Sequence, residues 1–456
     1  MKPSCLLIAT LLLAGLPPGS ATVDLNVDEH MLQNGMHVLT VERHSVPVVS
    51  FAIYYRAGSI DDPPGKKGMA HYCEHMLFKS TKNLEGESYA KLVGAVGGGH
   101  SNANTTTDRT CYHATIPPDR LELIIRLEAE RMANLEPSRE EAATELEVVK
   151  EELRQGYMDD PMGRLRRLFH ENLFTIHPYG VLTIGLLDDL STITYDDLMA
   201  FYHRFYTPAN AIAVIVGDFD TDAAVALMER FFGSIPAGER NPRLYPAEPQ
   251  QTQERRTVLE LPVQQSVYYA GYQAVSGTHP DALAIELLTV ALSRGGSSPL
   301  GQLSQGTDPV AMYAAAYFRG LLEPYPIIVT GAPLPGISMG SLEARIDSEL
   351  ESIARSGLTE VQFRKARAQL EAAEIYELQS SLGVAIGLGE AEMTGAWRDA
   401  ITRADRLATV TREDVCRVAK EYLRDDRRTV AILQPQPPES SDIPESDTSS
   451  PAGDVR

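Results

Sequence analysis

Gly68-Met-Ala-His71-Tyr-Cys-Glu74-His75-Met-Leu-Phe78 is the stretch from which the rest of this 456-residue chain is read. No Gly or Pro interrupts residues 69–78, so they can wind into nearly three turns of helix. On a helix, positions i, i+3 and i+4 share one face, and His71, Glu74 and His75 then point to a common place. Two imidazoles and a carboxylate converging in this way can serve one metal ion. The spacing H-x-x-E-H inverts the H-E-x-x-H order of the more familiar zinc-binding helix. Cys73, at i+2 from His71, faces away. The pattern alone also fits a chance grouping on a helix surface, so it calls for a third ligand elsewhere, on a helix.

A helix downstream offers one. Ser138-Arg-Glu-Glu141 is a capping box, and the helix it starts runs to about residue 157, before Asp159-Asp-Pro161. It carries Glu145, Glu147, Glu151 and Glu152. Glu145 and Glu152 are two turns apart on one face. A catalytic zinc takes three protein ligands and keeps one position for water. His71 and His75 supply two nitrogens, and Glu74 is better used as the general base that takes a proton from that water. The third ligand is then Glu145 or Glu152, with the other free to orient a His. Spacing alone does not choose between them.

The chain is too long for one ordinary core, so two or more domains are expected, and 43% apolar residues fit a soluble globular protein. Residues 1–21 differ. Lys2 precedes an apolar run over 5–16 relieved by Thr10 and Gly15, and Gly19-Ser-Ala21 carries the small residues a signal peptidase prefers. The run is too short to span a bilayer, and Cys5 lies at its start rather than beside a cleavage site. An exported protein, periplasmic or secreted, is expected. Losing residues 1–21 removes one Lys and no acid, taking the net charge to −21 − 1 = −22. That charge argues against nucleic acid and anionic membrane as partners. Cys73, Cys111 and Cys416 remain, and three thiols are not a disulfide framework.

Outward from the motif, residues 36–44 and 48–57 read as strands, 88–96 as a helix, and 100–107 and 110–116 as strands. Pro117-Pro118 opens a helix to about 132. Helices at 162–174, 191–205 and 220–232 and a strand at 210–218 complete the first unit, 22–235. Residues 236–253 are polar and Pro-rich and read as a linker. The order then starts again: strands at 257–261 and 266–274, a helix at 279–292, strands near 312–318 and 327–330. Helices at 336–355, 359–380 and 412–422 and a strand at 429–433 follow. One order in two halves indicates an internal duplication. The fold class expected is α+β, with two homologous domains, 22–235 and 254–434, each a mainly antiparallel sheet packed with helices. Where the first half has His71–His75 the second has Pro280-Asp-Ala-Leu-Ala284, so only the first can hold a metal. Residues 435–456 are rich in Pro, Ser and acids and read as a disordered acidic tail.

With these segments in view, the chain resembles the pitrilysin/insulinase-type (M16) zinc metallopeptidases. Within them it resembles the half-sized group that includes the mitochondrial processing peptidase β subunit and bacterial relatives. The resemblance rests on Gly68 to Thr81, on Gly98-Gly-His-Ser-Asn102-Ala103-Asn-Thr105 with Asp108 and Tyr112, and on Glu145-Leu-Glu-Val-Val-Lys-Glu-Glu152. It continues in His177-Pro-Tyr-Gly180, Phe205-Tyr-Thr-Pro-Ala-Asn210 with Gly217-Asp218, His279-Pro-Asp281 and Gly295-Gly-Ser-Ser298. It implies a zinc endopeptidase with one Zn2+ per chain on His71, His75 and Glu152, Glu145 orienting a ligand, and Glu74 as general base. It also implies that Asn102, Ala103 and Thr105 form an edge strand pairing with the backbone of a peptide substrate. One departure bears on partners. Active relatives pair the motif with Arg-x6-Tyr in the later half; here Tyr313 fits the Tyr, but Gly306 stands where the Arg belongs. Some half-sized enzymes are heterodimers whose zinc subunit borrows this pair. The expected partner is therefore a related zinc-less M16-like chain carrying Arg-x6-Tyr, the alternative being a homodimer in which Tyr313 works alone. The competing function is a non-catalytic peptide-binding or scaffold subunit.

Overall fold

The structure, a computed structural model, describes residues 25–436. The expected signal segment 1–21 lies outside them, as does the expected tail apart from Pro435 and Gln436.

Two sheets organise the molecule. The first holds β1 (Asp28–Met31), β2 (His37–Glu42), β3 (Val49–Tyr55), β4 (Gly99–Thr105), β5 (Thr110–Ile116) and β6 (Ala211–Gly217), in the order β1-β2-β6-β3-β5-β4. The second holds β7 (Arg255–Leu261), β8 (Val267–Tyr272), β9 (Ala311–Phe318), β10 (Ile327–Pro333) and β11 (Arg428–Pro435), in the order β7-β11-β8-β10-β9. Without β1 the two orders coincide, and the one parallel pair of each sheet, β2 with β6 and β7 with β11, falls at the same place. The duplication and the mainly antiparallel α+β fold are both present.

The first half contains helices α1 (Met69–Met76), α2 (Ser88–Ala95), α3 (Leu121–Ala133), α4 (Arg139–Leu153) and α5 (Pro161–Leu173), among others. Strands β3 and β6 are buried along their whole length. Such continuous apolar runs mark strands covered on both faces, and successive side chains go to opposite covers. Phe51, Ile53 and Tyr55 join Met69, Tyr72 and Val149 in one core. Ala52 and Tyr54 meet Val384, Ala385 and Leu388 of the helix Ser381–Thr394, which comes from the second half. The exchange is mutual: Leu165, Phe169 and Leu173 of α5 pack against Leu261, Tyr269 and Ala431 of the second sheet. Each half therefore closes the back of the other's sheet.

Several elements differ from the sequence reading. The short polar strand β1 was not expected, because a four-residue edge strand reading Asp-Glu-His-Met has no apolar alternation. Helix α1 stops at Met76, and the Phe78 amide bonds to the His75 carbonyl in a tightened last turn. Helix α4 stops at Leu153 and passes into a π-helical turn, Arg154–Asp159, where a Cβ at Gly163 would lie 2.0 Å from the Gly156 carbonyl. The helix expected over 191–205 is two, Leu187–Thr192 and Tyr195–Phe205, because Thr194 forms its own capping box with Asp197. Residues 236–253 contain no regular element but are bound at several points: the Asn241 amide N–H donates to Asn210, and Glu248 accepts from the backbone of Thr175, Ile176 and His177. The expected tail loses its first residue to β11, which runs to Pro435. Finally, Pro280 precedes the second-half helix Ala282–Ser293, so the residues corresponding to the motif, counted from the N-caps Gly68 and Asp281, are 284–288 rather than 280–284.

Candidate metal centre

Helix α1 is held at its start by chemistry that the sequence did not advertise. Gly68, the N-cap, has φ +100, a left-handed conformation that favours glycine, and a Cβ there would strike Ile184 and Leu190. The buried Asp62 accepts from the amides of Gly68 at 2.7 Å and Ala70 at 2.8 Å, satisfying donors that a helix start leaves free. Met69, Ala70, Tyr72, Cys73 and Met76 turn into the core, and the Tyr72 hydroxyl donates to the Ala142 carbonyl at 2.6 Å, tying α1 to α4. What remains is one helix face, with His71 and His75 half-buried and Glu74 buried.

Helix α4 has the predicted capping box, Ser138 accepting from the Glu141 amide and Glu141 accepting from the Ser138 amide. It brings Glu152 to the histidines: Oε2 lies 3.9 Å from His71 Nε2 and 3.6 Å from His75 Nε2. Ligand atoms of His71, His75 and Glu152 all fall within 4.8 Å of one another, and among the described residues no other such group of His, Cys, Asp or Glu occurs. Donors bonded to one zinc at about 2.0–2.1 Å in a tetrahedral arrangement stand roughly 3.4 Å apart, so this triad needs little adjustment to hold the ion. Its two nitrogens and one carboxylate oxygen are also the donor set zinc accepts at catalytic sites. Glu152 is half exposed, leaving one side open.

Glu145, one of the two carboxylates between which spacing did not choose, sits elsewhere. Its Oε1 is 2.8 Å from His75 Nδ1, and its Oε2 is 2.8 Å from Lys79 Nζ. A carboxylate on the far ring nitrogen fixes the tautomer and turns Nε2 outward. Burial would raise the Glu145 pKa, but the hydrogen bonds from His75 and Lys79 outweigh it and hold the carboxyl below its usual range. Burial likewise works against a charged His75, and Glu145 with the neighbouring carboxylates overcomes it, so its pKa is raised. His71 has no such partner. Burial and the adjacent His75 push it down to about 4, so it presents a neutral, donating imidazole.

Glu74 has its pKa raised by burial, an effect the Thr105 hydroxyl partly offsets. Of the expected substrate strand, Asn102 and Ala103 lie on β4, the outer strand of the first sheet, as does Thr105, whose hydroxyl donates to Glu74 Oε2 at 2.6 Å. Tyr313 is 42% exposed on β9, the outer strand of the second sheet, and takes no part in the cluster. Cys73 and Cys111 are buried free thiols; burial pushes Cys73 well above the usual thiol range and Cys111 up to about 12. His100 and His113 sit on β4 and β5 outside the metal-ligating group. The sequence reading missed Asp62, Lys79 and the second role of Thr105. Only Lys79 had a local signal, standing one turn after His75 and so beside it on the same side of the chain.

Residues 37–185 match the family described as Insulinase (Peptidase family M16), and residues 192–370 match Peptidase M16 inactive domain. This chain belongs to peptidase family M16. The M16 chain is 30% identical over 417 residues to zinc protease PqqE of Helicobacter pylori, covering 89% of the chain and 92% of that relative. An uncharacterized zinc protease of Mycobacterium leprae is 30% identical over 412 residues, covering 89% of the chain and 91% of the relative. Among solved structures, that of a protease from Helicobacter pylori superposes with a TM-score of 0.85 at 28% identity, over 90% of the chain and 100% of the other.

Proposed function

We propose that this M16 chain is a zinc-dependent endopeptidase that cleaves peptides or unfolded segments, with one Zn2+ held by His71, His75 and Glu152. The convergence of two Nε2 atoms and one carboxylate oxygen beside the buried carboxylate of Glu74 carries the reading. Bound there, zinc supplies Lewis acidity, lowering the pKa of water and polarising a carbonyl. Glu74 takes the proton of the attacking water and gives it to the leaving amine. Glu145 keeps the His75 ring turned so that Nε2 faces the cluster. The edge strand β4 offers unpaired backbone groups to which an extended peptide can add, with Asn102 and Ala103 beside the site.

The cluster is open to solvent on the Glu152 side. A cavity of about 290 Å3 between the halves is lined by Thr106, Arg109, Arg319 and Glu390 among others, and by none of the cluster residues. An open half-site and Gly306 in place of an Arg favour a second chain, a zinc-less M16-like relative carrying Arg-x6-Tyr, closing over peptide; a homodimer using Tyr313 is the alternative. We place the protein outside the cytoplasm, on the character of residues 1–21. Zinc analysis with a peptide-cleavage assay, with and without such a partner, tests the reading. Glu74→Gln is expected to keep zinc and abolish cleavage; metal-loaded mutant that still hydrolyses peptide removes Glu74 as the base.

The match of residues 192–370 to an inactive domain, together with the absent Arg, favours a second reading, a non-catalytic peptide-binding or scaffold subunit. That reading predicts zinc and peptide binding without turnover in every combination of subunits.

A further inference from the structure

A general base has to offer one oxygen to water and hold it there, and the grip on Glu74 reaches further than the binding of peptide. Its Oε2 is occupied, since the Thr105 hydroxyl donates to it at 2.6 Å, a length typical of hydrogen bonds to charged acceptors. Among the described residues no side chain other than Thr105 donates to this carboxylate, and the Thr105 backbone amide also lies close enough to stabilise it. Behind Thr105 the contacts continue inward. Its Oγ1 is 3.1 Å from that of Thr110, its cross-strand partner on β5, and the fully buried Thr110 donates to the Ala57 carbonyl at 2.8 Å. A carboxylate is a stronger acceptor than a hydroxyl, so the single hydrogen of Thr105 goes to Glu74; with the hydrogen of Thr110 given to Ala57, the two threonine oxygens meet in contact only, and Thr110 limits the space open to the Thr105 hydroxyl. Thr105 also closes strand β4, whose outer backbone a peptide would use.

We infer that Thr105 is a positioning residue for Glu74, and that through it β4 couples the seating of a peptide backbone to the orientation of the general base. The inference rests on the peptidase reading above. Thr105 makes and breaks no bond in the reaction. It commits Oε2, leaving Oε1 to receive the proton of water. A threonine there only for its strand-forming shape would be replaceable by valine, which is also β-branched and equally suited to a sheet.

The test compares Thr105→Val, Thr105→Ser and Thr110→Val in the zinc-loaded full chain, with its partner where one is needed. Thr105→Val is expected to lower kcat roughly 10- to 100-fold, the scale of a misplaced reacting group, with KM within about 3-fold of wild type. Zinc content should not change. Thr105→Ser should recover most of kcat, and Thr110→Val should cost less than Thr105→Val. A kcat unchanged in Thr105→Val, or a loss confined to KM, overturns the inference. Crystal structures read the positioning without turnover: the Glu74 carboxylate should rotate in Thr105→Val and stay in Thr105→Ser, and a carboxylate unmoved in the valine variant also overturns it. Failure of the peptidase reading looks different, with wild type inert toward peptide or Glu74→Gln fully active.

Discussion

Helix α1 and the helix Ala282–Ser293 occupy the same place in matching sheets, each lying in chain order between a central strand, β3 or β8, and the outer edge strand, β4 or β9. Counted from the N-caps Gly68 and Asp281, positions +3, +6 and +7 are His71, Glu74 and His75 in one and Ala284, Leu287 and Leu288 in the other. The helices that face them begin with capping boxes at Ser138 and Thr359. Positions +7 and +14 there are Glu145 and Glu152 against Ala366 and Ala373. Every group assigned to metal chemistry in the first half has an apolar counterpart in the second. Ala284, Leu287, Leu288 and Ala366 are all buried in one core. The difference teaches that the centre is a core position of the fold given over to donors. The second half keeps the packing, and the first gives some of it up to leave an opening.

This contrast can be broken at several points. The largest effect is expected from His75→Ala, which removes one of three donors. Structural zinc binding totals on the order of 10–16 kcal/mol over four ligands, so losing one should weaken zinc roughly 100- to 1,000-fold, read by competition with a chelating dye. Retained affinity would mean the ion sits elsewhere. In the second half, Leu287→Ala should leave zinc content alone and lower unfolding stability by about 2–5 kcal/mol, read by denaturant titration. A change in metal content there would end the division of labour between the halves.

Next comes Glu145→Gln, which keeps the shape but removes the charge between His75 Nδ1 and Lys79. Zinc affinity is expected to fall about 10- to 100-fold, and unchanged affinity would leave Glu145 a packing residue. The smallest effect is the most pointed. Glu74→Leu installs the second half's residue at the corresponding position and removes a carboxylate whose burial raises its pKa. Metal-free protein should gain about 0.5–2 kcal/mol of stability while losing turnover. A loss of stability would show that Glu74 is held as much for packing as for chemistry.

Much of this contrast was legible in the sequence, because local rules produced it. His71, Glu74 and His75 share a face by helical period, Ser138 and Glu141 declare a helix start by capping, and the repeated order of strands and helices shows duplication without any contact. Spacing also narrowed the third ligand to Glu145 or Glu152. It could not go further, since both lie on one face of α4 and period is blind to which imidazole nitrogen each meets. That choice depends on how α1 and α4 approach, a matter of the Tyr72 hydroxyl reaching the Ala142 carbonyl and of core packing between residues far apart in sequence.

By itself, then, the sequence determined the helix that carries the histidines, the helix that faces it, the duplicated α+β order and the absence of a second metal motif. Each follows from interactions among residues a few positions apart. Only the tertiary structure decided that Glu152 faces both Nε2 atoms while Glu145 takes Nδ1, that Asp62 caps α1, that Thr105 grips Glu74, and that each half lends a helix to the back of the other's sheet. Those pairings join segments tens to hundreds of residues apart. They are set by which surfaces bury each other, and no local period or cap records that.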